Sequence, residues 1–199
     1  MGIYLLIGAA VWLYVLSVLK RARLSAFYFI VGSAGLFFVL MAIADPYWVW
    51  FFTHAVIHGV QWLAGDLLHW CHVTMKTGLV YIPNHVNSVV MSIDFECSGI
   101  IESAALVALV VYFPTYARRE KVFYAGFGVL YIYLANIIRL LTVIAIVHYA
   151  GGQWYYLAHA IIGRLVFYVL VIALYYNVFT YSQLARGIYR ELGFDRRQP

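Results

Sequence analysis

Residues 122–149 read VFYAGFGVLYIYLANIIRLLTVIAIVHY, an apolar run that carries one arginine, Arg139, and no acidic residue. A helix needs about 20 predominantly apolar residues to cross the hydrocarbon core of a bilayer. The run is longer than this minimum. It therefore predicts a transmembrane helix and decides the fold class of the chain.

The composition of the whole chain agrees with this assignment. Of the 199 residues, 65% are hydrophobic and 11% are charged, and the mean hydropathy is +0.87. Soluble domains are about 45–50% apolar and about 25% charged. A soluble domain of this size keeps roughly 30% of its unfolded surface in water, and this chain has too few polar residues to cover it. We expect one all-α integral membrane domain over residues 1–199.

Charge and cysteine content exclude other classes of protein. The formal net charge is +5, but the basic residues stand in short clusters between apolar runs instead of gathering on a soluble face, so a nucleic-acid partner is not expected. Two cysteines, Cys71 and Cys97, are too few for a disulfide framework.

Five apolar stretches are long enough to be membrane spans. They are predicted at residues 3–19, 25–44, 99–116, 122–149 and 157–181. The first resembles a signal peptide, which carries its positive charges ahead of the apolar region. Here Lys20, Arg21 and Arg23 follow the apolar region, so we predict a retained helix.

The basic residues also predict the orientation of the helices. Lysines and arginines in short loops favour the cytoplasm, and ten of the thirteen lie in three clusters at 20–23, 118–121 and 186–197. Five crossings place all three clusters on one side if the N-terminus is outside. We predict a multi-pass plasma-membrane protein with a cytoplasmic C-terminus.

The segment between the second and third spans is expected to lie on the outer face. Over residues 47–70 the polar residues recur at helical spacing as a stripe on one side and the apolar residues lie on the opposite side. This pattern favours an interfacial helix over a sixth crossing of the membrane. The stripe consists of His54, His58, Gln61 and His69, and the apolar side of Trp50, Val56, Val60, Leu63 and Leu67. Alternation over residues 86–95 predicts an extended piece, so we expect a short hairpin ahead of the third span.

Three ionisable residues, Glu102, Arg139 and Arg164, lie inside predicted spans, where a charge costs at least about 2.5–3.5 kcal/mol. One interpretation is structural, with Glu102 pairing with an arginine inside the bundle. The other is functional. At about 1.5 Å per residue, Arg139 lies roughly 27 Å above the start of its span, near the outer boundary. Cys97 and His159 begin their own spans at that boundary, so we expect the three residues to meet.

Such a trio permits acyl transfer through a thioester. A nearby cation or imidazole lowers the pKa of a thiol from about 8.5. His159 can accept the thiol proton and later protonate a leaving amine, and Arg139 can stabilise an oxyanion. The amide groups of Ser98, Gly99 and Ile100 are expected to face Cys97 at the N-terminus of the third span.

Each of these residues also has an ordinary explanation when taken alone. A single membrane cysteine is usually a small apolar filler, and we expect this role for Cys71. Histidines four residues apart on a helix can bind a metal. His54 and His58 have this spacing, and His69 and His72 lie nearby, so a metal- or haem-binding membrane protein is one alternative function. A second alternative is a non-catalytic transport or structural component that uses Glu102, Arg139 and Arg164 as a polar pathway.

Three short motifs follow one another along the chain: ECSGI at residues 96–100, NIIR at 136–139 and HAIIG at 159–163. Together they resemble the signatures of the exosortase/archaeosortase family of membrane-embedded cysteine transpeptidases. The resemblance covers about residues 78–181, which it implies are the catalytic part. Because the chain has few spans, it is similar to the compact exosortases of Gram-positive bacteria.

The resemblance implies a nucleophile, Cys97, with Arg139 and His159 as its partners. It also implies exported substrates with a C-terminal motif, transmembrane helix and basic tail, cut on the outer face and transferred to an amine acceptor such as a lipid. No cofactor or metal is implied. The supporting or substrate-binding residues are expected to be Glu96, Ser98, Gly99, Glu102, Asn136 and Arg164. The archaeal branch has an arginine in the third catalytic position, so Arg164 is an alternative to His159.

Overall fold

The computed structural model describes residues 3–44, 46–85 and 87–181. This part of the chain forms six α-helices and one small sheet. The helices are α1 (Ile3–Arg21), α2 (Ser25–Ala44), α3 (Tyr47–Val60), α4 (Ile100–Tyr112), α5 (Arg118–Ala150) and α6 (Gly163–Tyr175). The strands are β1 (His72–Thr74), β2 (Leu79–Ile82) and β3 (Val89–Ser92). The basic cluster at 186–197, used above for orientation, lies outside the described residues.

Shorter helical segments extend or connect these elements. Wider π-type turns continue α3 over Gln61–Leu67 and flank α6 at Leu157–Ile162 and Tyr176–Tyr181. Tight 3₁₀ turns lie at Phe95–Cys97, ahead of α4, and at Gly152–Trp154, between α5 and α6. The last predicted span, 157–181, is therefore helical throughout.

The all-α prediction is confirmed, but only part of the predicted span count is. Among the described residues, three helices are long and apolar enough to cross a membrane, namely Ser25–Ala44, Arg118–Ala150 and Leu157–Thr180. The third predicted span, 99–116, yields only the 13 residues of α4, about 20 Å of helix. Phe113 leaves the helix with ψ 121°, because the following Pro114 disfavours helical backbone. A crossing by α1 stays a prediction.

The segment at 47–67 is helical as predicted, with a narrower buried face than expected. Val56 and Val60 are fully buried, whereas Trp50 and Leu67, predicted on the same apolar side, are exposed. The buried stripe includes Ile57 and packs with α5 and the sheet in one hydrophobic cluster. The position of this helix on the bilayer surface stays a prediction.

The expected hairpin is present as β2 and β3, and β1 adds a third antiparallel strand. Alternate residues point to opposite faces of a strand, and here Val80 and Met91 are paired and buried while Tyr81 and Val90 are paired and exposed. The buried face joins the cluster that includes the C-terminal half of α5. The sheet therefore covers the end of α5 that carries Arg139.

Two hydrophobic clusters form the core of the described bundle, in which α1 packs on α2, α2 on α4, α4 on α5 and α5 on α6. One joins α4, α5 and α6 around Leu106, Ile132 and Phe167. The other, which we name the sheet-end cluster, consists of Val56, Ile57, Val60, Ala64, Cys71, Val80, Ile82, Met91, Ile93, Cys97, Ile137, Leu140, Val143, Ile144, Val147 and Ala158. Cys97 thus lies in the core beneath the sheet.

Candidate active site

Cys97 ends the 3₁₀ turn between β3 and α4, with 4% of its surface exposed. Its N–H donates to the Asp94 carbonyl at 3.0 Å. The Ser98 hydroxyl donates to the Phe95 carbonyl at 2.7 Å and accepts the Ile100 N–H at 3.3 Å. These bonds hold the thiol-bearing turn against the first residue of α4.

The same bonds correct one expectation about this turn. The amides of Ser98, Gly99 and Ile100 were expected to face the thiol, but the Ser98 N–H donates to Phe95 and the Ile100 N–H to the Ser98 hydroxyl. The reason is that Cys97 belongs to a separate turn, while Gly99, with φ +73°, is the residue that caps α4. Two of the three amides are therefore already engaged.

Helix α5 contributes Asn136 and Arg139 to the site, three residues apart and so on one helical face. Asn136 is completely buried, and its Nδ2 donates to the Cys97 carbonyl oxygen. Arg139 is 8% exposed, and its guanidinium carbon lies 5.8 Å from the centre of the Phe167 ring. Asn136 therefore fastens the nucleophile turn to the helix that carries the arginine.

His159 comes from the helical segment that precedes α6. It is half-buried, stacks on Tyr155 with ring centres 5.5 Å apart, and its buried Nδ1 has no hydrogen-bond partner among the described residues. Four residues later, a Cβ added to Gly163 would lie 2.8 Å from Val143 Cγ2 and 3.5 Å from Arg139 Cγ. The glycine thus allows α6 to approach α5 beside Arg139, which gives the HAIIG motif a structural reason.

The electrostatics of the site differ from the expected thiolate. Burial raises the pKa of the Cys97 thiol above its ordinary value; the Arg139 guanidinium lowers it only in part, and the Asp94 carboxylate raises it further. The predicted effect of the arginine has the right sign, but desolvation of the buried thiol outweighs it. A thiol whose pKa lies above its ordinary value is protonated at neutral pH.

Two residues of the site, Asp94 and Tyr155, were not predicted. The exposed Asp94 contacts the Cys97 thiol through both its backbone N–H and its carboxylate, and it acts electrostatically on His159. Burial raises the pKa of Tyr155, and the negative charges of Asp94 and, once it is ionised, of Cys97 add to this effect. Asp94 stands three residues before the cysteine and Tyr155 four before the histidine, spacings that become informative once the two local turns are recognised.

The other predicted supporting residues are more dispersed. Glu96 is exposed and makes no hydrogen bond or ion pair within the described residues. Glu102 is half-buried, interacts electrostatically with Tyr175, and forms no ion pair with Arg139 or Arg164 in this part of the chain. Arg164 is exposed on α6 and acts electrostatically on His159. The three intramembrane charges therefore do not form one cluster.

The histidine stripe makes local contacts. His54 Nδ1 lies 2.9 Å from the Trp50 carbonyl oxygen, and His69 Nδ1 lies 3.0 Å from that of Gly65. Over residues 3–44, 46–85 and 87–181, no three His, Cys, Asp or Glu side chains come together as a metal centre.

Comparison with known families agrees with the order of the site motifs along the chain. A profile described as transmembrane exosortase (exosortase EpsH) matches residues 1–176. The chain belongs to the transmembrane exosortase family. The match confirms the resemblance drawn from the three motifs, extends it over the first two predicted spans, and shows a multi-pass membrane protein. No curated protein and no solved structure matches the chain.

Proposed function

We propose that this exosortase is a membrane-embedded cysteine peptidase and transpeptidase that cleaves a C-terminal sorting signal of exported proteins. The proposal rests on the contacts that bring the three sequence motifs together. Asn136 binds the turn of the buried Cys97 to the helix that carries Arg139, and Gly163 brings the helix of His159 against Arg139. Nucleophile, cation and base therefore share one end of the bundle.

Because the pKa of Cys97 is raised, we infer that the thiol loses its proton during the attack on the substrate and not before it. Because the resting thiol is protonated, His159 removes the proton as the sulfur attacks the substrate carbonyl. A C–S bond forms, Arg139 stabilises the oxyanion, and the C–N bond then breaks as the imidazolium protonates the leaving amine. The acyl group remains on Cys97 as a thioester and passes to an amine acceptor. This chemistry requires no cofactor or metal.

The proposed setting is the outer face of the plasma membrane, with the N-terminus outside. It is supported by the basic clusters at 20–23 and 118–121, which favour the cytoplasmic side of the membrane. Arg139 lies 21 residues into α5, so a cytoplasmic start of that helix places the arginine roughly 30 Å away, near the opposite boundary. The substrate tail would then cross the bilayer beside the enzyme and present its motif at this boundary.

The test compares the two cysteines in membranes that also contain a substrate with a motif, a transmembrane helix and a basic tail. We expect Cys97→Ala to abolish tail release, because Cys97 is the thiol on which the charge of Arg139 acts. Cys71→Ala should leave release within about twofold of wild type. Membrane insertion of both variants is measured in parallel, and mass spectrometry identifies the new C-terminus. Normal tail release by Cys97→Ala would disprove the cysteine mechanism.

A further inference from the structure

Asp94 occupies the accessible edge of the candidate site. It follows β3 with extended backbone, φ −115° and ψ −168°, and its side chain is exposed although the neighbouring Cys97 is buried. Its backbone N–H and its carboxylate both contact the thiol, and its carbonyl accepts the Cys97 N–H. The carboxylate therefore lies beside the sulfur on the side from which a soluble group would approach.

This carboxylate disfavours ionisation of the neighbouring thiol. A negative charge next to a thiol disfavours the thiolate, and Asp94 contributes to the raised pKa of Cys97. Within the described residues, no lysine or arginine forms an ion pair with Asp94. A charge that disfavours the thiolate and pairs with no described lysine or arginine is available to a ligand in the second half of the reaction.

The charges around the sulfur are arranged asymmetrically. Arg139 is buried, and together with Arg164 it acts on His159, while Asp94 acts on the same imidazole with the opposite sign. The buried guanidinium suits a carbonyl oxygen that becomes negative. The exposed carboxylate suits a cation, and an aliphatic amine with a pKa of about 10.4 is a cation at neutral pH.

We propose that Asp94 binds the ammonium form of the amine acceptor beside the thioester and so favours transfer over hydrolysis. The proposal rests on the proposed function, since it concerns the thioester on Cys97. The ligand is a primary ammonium group, supplied by a lipid headgroup or by a soluble amine.

The transfer step balances as follows. The bound ammonium loses one proton to water and becomes a neutral amine. Its nitrogen attacks the thioester carbon, forming a C–N bond as the C–S bond breaks, and its second proton goes to the imidazole of His159. The imidazolium returns that proton to the sulfur of Cys97, so the products are an amide, the free thiol and one released proton.

The test uses the full chain in phosphatidylcholine vesicles with a tail-bearing substrate and two soluble nucleophiles. Ethanolamine is a cation at neutral pH, whereas hydroxylamine is uncharged and attacks thioesters without needing a carboxylate partner. We expect Asp94→Asn to lower kcat/KM for ethanolamine about tenfold, mainly through KM, because a charge-assisted contact is lost. Tail release and hydroxylamine capture are measured alongside. The ratio of ethanolamine transfer to hydroxylamine capture should fall about tenfold whatever the change in tail release, because both nucleophiles attack the same thioester.

The control is Asp66→Asn, since Asp66 is an exposed aspartate that accepts a hydrogen bond from Gln61 at 2.6 Å. This variant should leave all three measurements unchanged. A second set of vesicles contains phosphatidylethanolamine in place of soluble ethanolamine, and the product mass identifies which source supplied the amine. In either set, an amine product whose yield relative to hydroxylamine capture falls in Asp94→Asn supports the proposal.

Two results would overturn the inference. One is an equal loss of ethanolamine transfer, hydroxylamine capture and tail release in Asp94→Asn, which would place Asp94 in the first half of the reaction. The other is unchanged ethanolamine transfer in that variant. Absence of tail release by the wild-type enzyme is a different result, because it contradicts the proposed function itself.

Discussion

The two cysteines of this chain both lie in the sheet-end cluster but have different polar neighbours. Cys71 and Cys97 are both free, and 2% and 4% of their surfaces are exposed. Burial raises the pKa of Cys71 to about 11. Cys97 is subject to the same desolvation, yet it contacts Asp94 and lies in the field of Arg139. A buried thiol without polar partners is chemically inert, so the neighbours of Cys97 are what distinguish the two.

The largest expected effect comes from removing the cation that separates the two environments. Arg139→Gln should lower kcat/KM for tail release about 10²- to 10³-fold, the usual cost of losing an oxyanion donor. Arg139→Lys should recover little of this loss, because an ammonium lacks the planar fork of donors. The measurement is tail release by purified enzyme in vesicles.

The control for this prediction is Arg119→Gln, which removes an exposed arginine from the first turn of the same helix. Its effect on tail release should stay within about twofold. If Arg139→Gln retained wild-type activity, Arg139 would belong to the packing of α5 on Phe167 and not to the reaction.

The next effect concerns the bond that holds Cys97 near Arg139. Asn136→Ala leaves the buried Cys97 carbonyl without its donor, which should cost about 1–3 kcal/mol of stability and lower tail release roughly tenfold. Asn177→Ala is the matched control, since Asn177 is exposed and donates to the Ala173 carbonyl at 2.8 Å. Thermal unfolding in detergent and tail release are measured for both variants. Equal losses in the two would show that the link to Cys97 has no special role.

Much of the fold follows from hydrophobic length, which is a strong signal in membrane proteins. The bounds predicted for α2, Ser25–Ala44, are those observed, and α5 encloses its predicted span. The third span was predicted too long because Pro114 ends α4 inside an apolar stretch. The length of an apolar stretch gives no information about this restriction on the backbone. The strand β1 was missed because three residues carry too little alternation to stand out.

The site could be predicted only where its residues are unusual for their surroundings. Arg139 draws attention because charge is costly at membrane depth, and the motifs then point to Cys97 and His159. Asp94 and Tyr155 stand in polar segments, where such residues are ordinary. Their role depends on a 3₁₀ turn and a helical turn that bring them to the thiol and the imidazole, and those turns are visible only in the structure.

A smaller effect should come from the glycine that brings α6 to the site. Gly163→Ala places a methyl group 2.8 Å from Val143 Cγ2, and such overpacking costs about 1–3 kcal/mol. Gly126→Ala is the matched control in α5, because an added Cβ there meets nothing within 4 Å. It should stabilise the helix by about 0.5–1 kcal/mol. The two midpoints of thermal unfolding should thus move in opposite directions, and a shared direction would contradict the close approach at Gly163.

The smallest expected effect is a shift in the pH at which each cysteine is alkylated. Iodoacetamide reacts with the thiolate, so the rate rises with pH up to the pKa of the thiol. With Cys97→Ala, alkylation of Cys71 should level off only near pH 11, because burial raises the Cys71 pKa to about that value. With Cys71→Ala, alkylation of Cys97 should also begin above the usual range, because its pKa is raised as well.

The neighbours of Cys97 should then move its profile in opposite directions. Adding Arg139→Gln removes a cation that favours the thiolate, so the midpoint should rise. Adding Asp94→Asn removes an anion that disfavours the thiolate, so the midpoint should fall. The fall should be smaller than the rise caused by Arg139→Gln, because Asp94 is exposed and its charge is screened by water. The same pair of changes would leave Cys71 unmoved, since burial is what raises its pKa. Parallel shifts at both cysteines would mean that the charges act by altering the fold, and the distinction between the two thiols would fail.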